Sequence, residues 1–61
     1  MSKIAKCQML HSRLVSRFRA EHPSMIISDR ISGWIYQAIC DIYEKDGEEE
    51  AERYVREAKM L

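Results

Sequence analysis

Between Ile31 and Tyr43 the apolar residues Ile31, Trp34, Ile35, Ala38, Ile39 and Ile42 recur at intervals of three and four. That interval stacks side chains on one face of a helix, whereas a strand would alternate them between two faces. The stretch also holds the chain's only tryptophan. It is therefore expected to be the strip against which everything else folds, whether the opposing surface comes from the same chain or from a second copy. The pattern predicts a helix over about 29–45, with Ser28 or Asp29 accepting hydrogen bonds from its free amide groups. Gly33 falls inside this helix, where glycine costs about 1 kcal/mol relative to alanine. The expected compensation is close packing of another helix against the missing side chain.

Upstream, Ile4, Cys7, Leu10, His11, Leu14, Val15 and Phe18 form a second helical stripe. It predicts a helix over about 3–21, capped by Ser2 and ended by the turn His22-Pro23-Ser24, since proline disfavours helical geometry in the residue before it. Met25, Ile26 and Ile27 then make an apolar run within a connection. Left exposed, such a run marks a contact surface, so it is expected to close the core or to meet a partner. Downstream, Lys45-Asp46-Gly47 reads as a helix end with glycine in the left-handed region. Glu48, Glu49 and Glu50 open a third helix, over about 48–60, in which carboxylates suit the positive end of the helix dipole. Its apolar face, Ala51, Tyr54, Val55, Ala58 and Leu61, is built mostly from small residues and is expected to lie on a surface.

These elements give the fold class: all-α, a small helical bundle of two long helices plus a shorter C-terminal helix, forming one domain over 1–61. At 61 residues a chain buries an incomplete share of its apolar surface and gains from association. Completion of the bundle by homodimerisation is therefore expected, with Leu14, Phe18, Ile31, Trp34, Ile35, Ala38, Ile39 and Ile42 as core or dimer residues.

Charge refines this picture. The net charge is zero, but residues 1–22 carry five Lys or Arg against one Glu, or +4, while residues 41–61 carry four against eight Asp or Glu, or −4. The two ends are complementary, within one chain or between copies. Lys6, Arg13, Arg17 and Arg30 are the candidate contacts for a protein or nucleic-acid partner. The first residues are broken by Lys3, Lys6, Gln8, His11 and Arg13, and no apolar run is long enough for a bilayer, so a cytoplasmic protein with no membrane partner is expected. There Cys7 and Cys40 are expected to stay reduced and to serve as small buried hydrophobes.

Catalytic patterns are missing: no glycine-rich phosphate loop, nucleophile elbow or zinc-binding pair of helical histidines occurs. Cys7 and His11 share a helical face, but they sit within an apolar stripe, and no metal, cofactor or enzymatic activity is expected. The run Ile26-Ile27-Ser28-Asp29-Arg30-Ile31-Ser32-Gly33-Trp34-Ile35 resembles the turn and second helix of a helix-turn-helix DNA-binding motif. That resemblance implies a small DNA-binding regulator in which Ser28, Asp29, Arg30 and Ser32 face the bases. Before the run, Pro23, Glu21 and Met25 depart from the motif. Strong phosphate binding needs a surplus of positive charge, which this chain lacks. The favoured expectation is thus a non-enzymatic adaptor, inhibitor or regulator acting on another protein, a type common among phage and mobile-element accessory genes, with DNA binding through 26–35 as the alternative.

Overall fold

In the computed structural model, which describes residues 2–58, the helices are α1 (Lys3–Glu21), α2 (Asp29–Asp46) and α3 (Glu48–Glu57). Local chemistry sets each boundary. Ser2 Oγ accepts from the Ala5 amide at 3.2 Å, and Ser28 Oγ accepts from the Ile31 amide at 3.2 Å. Each satisfies one of the amide donors that a helix start leaves free. After α1 the His22 carbonyl accepts from the Met25 amide at 3.0 Å, closing a turn with Pro23 at its second position, where its fixed φ fits. Between α2 and α3 stands one residue, Gly47, at φ 95° and ψ 177°, a region open essentially to glycine alone. The third helix ends at Glu57, with Ala58 extended. Its expected continuation to residue 60, and Leu61 on its stripe, lie outside the described residues.

The three helices run up, down and up. α1 and α2 are antiparallel, since Lys3 pairs with Glu44 near one end and His11 meets Ser32 and Tyr36 further along. α1 and α3 run parallel, because Lys6 reaches Glu48 and Glu52 while Arg17 reaches the last turn of α3. Complementary charge at the two ends of the sequence therefore meets within one chain.

The core is Cys7, Leu10, Leu14 and Phe18 from α1, Ile39 from α2, and Ala51 and Val55 from α3. Ile27, Ile35, Tyr36, Cys40, Ile42, Tyr43, Tyr54 and Ala58 pack around it, partly buried. This distribution differs from the sequence expectation in three respects. α1, and not the strip on α2, supplies most of the fully buried side chains. α3 does not merely lie on a surface, because Ala51 and Val55 are small enough to bring its backbone against the core. Trp34 is 66% exposed, so it is not a core residue of the single chain. Ile31 and Ala38, on the same side of α2, are half-buried.

Position around the helix accounts for Trp34. At about 100° per residue it stands about 140° from the buried Ile39, on the side of α2 that also carries Arg30, Asp41 and Lys45, all of them exposed. α3 folds back from Gly47 along α2, yet Asp41 and Lys45 stay open on that side, so neither α1 nor α3 covers it. Gly33 also departs from expectation: a side chain added there would meet nothing within 4 Å, so no helix of this chain packs against it.

Candidate functional site

Two regions hold the residues that the sequence singles out. One is the α1–α3 seam, where the basic flank of α1 lies. Lys6 Nζ is 3.0 Å from Glu48 Oε1 and 2.6 Å from Glu52 Oε1. The pairing with Glu52, followed by that with Glu48, raises the Lys6 ammonium above its ordinary value. Reciprocally, Lys6 is the main cause that lowers the Glu52 carboxyl. Arg17 Nη1 donates to the carbonyls of Val55 and, at 2.7 Å, of Arg56. Those carbonyls lie in the last turn of α3, where helical partners run out and the dipole favours a cation. Arg17 is thus a C-terminal cap supplied to α3 by another helix.

Of the four candidate contact residues, Lys6 and Arg17 are consequently engaged inside the chain. Arg13 and Arg30 are exposed and take no carboxylate partner among the described residues. Arg13 and Arg17 join Val55 and Arg56 around a shallow groove of about 270 Å³. A larger concavity, about 490 Å³, is lined by Glu49, Glu50, Glu52, Arg53 and Arg56. Its lining is charged and comes from one helix, unlike the apolar, convergent lining that holds small substrates.

His11 and Ser32 make the one contact with a catalytic look. His11 Nε2 lies 2.9 Å from Ser32 Oγ and 3.0 Å from the Ser32 carbonyl oxygen. A carbonyl only accepts, so the tautomer that satisfies this contact carries its proton on Nε2 and donates, and in that tautomer the nitrogen does not take the proton of the serine hydroxyl. The ring also stands edge-on to Tyr36, with centroids 5.5 Å apart. The arrangement clamps α1 to the start of α2. Cys7 does not share His11's surroundings but faces Cys40. No group of three or more metal-ligating side chains occurs among the described residues.

The second region is the end of the bundle where α1 leaves and α2 begins. Ile26 is 88% exposed, Trp34 66% and Met25 39%. Long side chains on a helix lean toward its N-terminus, which carries Trp34 over the start of α2, toward the connection that holds Met25 and Ile26. The remaining large exposed apolar residue among the described residues, Ile4, lies at the opposite end. Sequence reasoning grouped Trp34 with Ile35, Ile39 and Ile42 in one strip, whereas in the structure it lies at the outer edge of that strip, on the side of the exposed Arg30 and Asp41. What the periodicity lacked was the width of the arc that α1 and α3 cover.

No protein-family model, curated protein or solved structure matches this chain.

The helix-turn-helix resemblance gains little from the geometry. The connection spans seven residues, 22–28, against the usual turn of about 3–4. Among the base-facing candidates, Ser28 is used as a cap and Ser32 is bonded to His11. Asp29 and Arg30 remain exposed. No helix among the described residues is long and apolar enough to cross a membrane.

Proposed function

We propose that this chain is a protein-interaction module, non-enzymatic, that works as an adaptor, inhibitor or regulator through the apolar end formed by Met25, Ile26 and Trp34, and that a second copy of the chain is the first occupant of that surface. The observation that carries the reading is Trp34 at 66% exposure. A tryptophan brings more apolar area than any other side chain and is enriched where proteins meet. Ile26 and Met25 are exposed in the connection that leads into α2, and the half-buried Ile31 and Ala38 stand on the side of α2 nearest Trp34.

Charge on the same face of α2 supports a self-complementary contact. Arg30 and Asp41 bracket Trp34 at helical spacing, and both are exposed. In a twofold pairing of two antiparallel α2 helices, Arg30 of each copy approaches Asp41 of the other, with the two tryptophans between them. DNA binding ranks below this reading because Lys3, Lys6 and Arg17 already have acceptors within the chain.

Sedimentation equilibrium over the micromolar range tests the proposal. The expected result is a reversible dimer that Trp34→Ala disrupts and Arg30→Asp weakens by about tenfold or more. Combining Arg30→Asp with Asp41→Arg restores it, since the pair is merely exchanged. A wild-type chain that stays monomeric at high micromolar concentration overturns the second copy as occupant, as does a double variant no better than the single one.

A further inference from the structure

The two cysteines of this chain, 33 positions apart in sequence, are brought face to face by the antiparallel register of α1 and α2. Lys3 pairs with Glu44, and eight residues later on α1 His11 meets Tyr36 edge-on, eight residues earlier on α2. Midway between these two contacts stand Cys7 on α1 and Cys40 on α2. Because a step of four residues is about one turn on both helices, the register that joins the outer pairs also directs the two thiols at each other. Cys7 is completely buried in the core cluster, and Cys40 packs against that cluster half-buried. Burial, and then the adjacent Cys40 thiol, push the Cys7 thiol above its ordinary value, while the Cys40 side chain is the main cause that raises the neighbouring Tyr36 hydroxyl.

We infer that Cys7 and Cys40 are a peroxide-responsive thiol pair that closes an intramolecular disulfide between α1 and α2. Cys40 is the entry point, because it alone of the two reaches solvent. Its sulfur attacks a peroxide oxygen and the O–O bond breaks, leaving a sulfenic acid on Cys40 and releasing water from hydrogen peroxide. The Cys7 sulfur then attacks the Cys40 sulfur, the S–O bond breaks, and the hydroxyl leaves with the Cys7 proton as a second water. Two thiols are oxidised by two electrons in all, and one peroxide is reduced to two waters. Since the partners already lie on facing helix surfaces, the bond links α1 to α2 across the packing they already share. The closed loop enters the unfolded chain as a lasting constraint, which is the main source of stabilisation by such a bond.

The purified full chain, fully reduced and then treated with hydrogen peroxide, provides the test. Intact mass is expected to fall by the two thiol hydrogens, with no iodoacetamide uptake after denaturation. A non-reducing digest is expected to join the peptides holding Cys7 and Cys40, and Tm to rise by about 10 °C or more. Dithiothreitol reverses all three changes. In Cys7→Ser a dimedone adduct accumulates on Cys40, and in Cys40→Ser the buried Cys7 of the folded chain resists peroxide. Disulfides only between chains in dilute protein, progression of Cys40 to sulfinic acid with Cys7 free, or cross-linking only in urea each overturn the inference.

Discussion

Replacing Arg17 by methionine tests whether the basic flank of α1 is part of the fold or a contact for a partner. The substitution keeps the aliphatic stem and removes the guanidinium, so packing is largely preserved and the cap on α3 is lost. Hydrogen bonds to charged groups contribute about 1.5–3 kcal/mol each when well formed. Here both bonds leave the same nitrogen, Nη1, and the side chain is 27% exposed. Water therefore recovers part of the loss, and about 2 kcal/mol in total is the reasonable figure. A chain of this size has about 3–9 kcal/mol of stability, so the change removes a large fraction of it and lowers Tm by about 8–16 °C.

α3 should suffer most. Ten residues is too short for a helix to hold by itself, and its N-terminus has no side-chain cap. The control is Arg13→Met, one turn earlier on the same flank, which removes the same charge from a residue without a carboxylate partner and should change stability by less than about 0.5 kcal/mol. Urea melts followed by circular dichroism give the two values, and hydrogen exchange of the amides from Ala51 to Ala58 locates the loss. Equal destabilisation by the two substitutions, or a loss below about 0.5 kcal/mol for Arg17→Met, would refute the assignment of Arg17 as a cap.

The remaining predictions concern the glycines and the seam. Gly47→Ala should destabilise by about 1–3 kcal/mol, because φ 95° with ψ 177° is closed to a residue with a Cβ although the space itself is open. Gly33→Ala should stabilise the monomer by about 0.5–1 kcal/mol, as its site is helical, unstrained and clear of neighbours; thermal melts in dilute protein check both. For Lys6 and Glu52 the signs are opposite. The lowered Glu52 carboxyl adds stability above its ordinary 4.5 that is lost as pH falls through the folded value, and the raised Lys6 ammonium adds stability below 10.5 that is lost as pH rises through the folded value. Lys6→Met should accordingly flatten the dependence of Tm on pH at both ends and leave its shape between them unchanged.

What the sequence makes legible here is what short-range rules control. Ser2 and Ser28 cap, Pro23 turns the chain, and Gly47 separates two helices, because each effect acts within a few residues of its cause. Fold class follows from the periodicities. The allocation of faces is harder, since a stripe says that a face is apolar without saying what covers it. On α2 the stripe is wider than the arc that α1 and α3 cover, and the difference between a buried Ile39 and an exposed Trp34 is that Trp34 stands about 140° round the helix, beside the exposed Asp41. Gly33 illustrates the same point: its cost is visible in sequence, whereas the open space beside it depends on a neighbour being absent. Arg17 could have been identified earlier only by knowing that α3 runs parallel to α1 and ends at that height.

Under the proposed function, the division of apolar surface between fold and contact is what lets such a small chain do both. Burial of Leu10, Leu14, Phe18 and Ile39 forms a core that does not need Trp34, so a partner can take that side chain without opening the bundle. Had Trp34 been packed inside, binding through it would have required partial unfolding, at a cost close to the whole stability of a 61-residue chain. The Cys7–Cys40 contact lies on the other side of α2, toward α1, and a covalent link there would hold the helix that presents Trp34 against the core. Oxidation would then leave the apolar end exposed while making its support more rigid. A rigid surface loses less entropy on association, so oxidised chain should bind the same partner no more weakly than reduced chain.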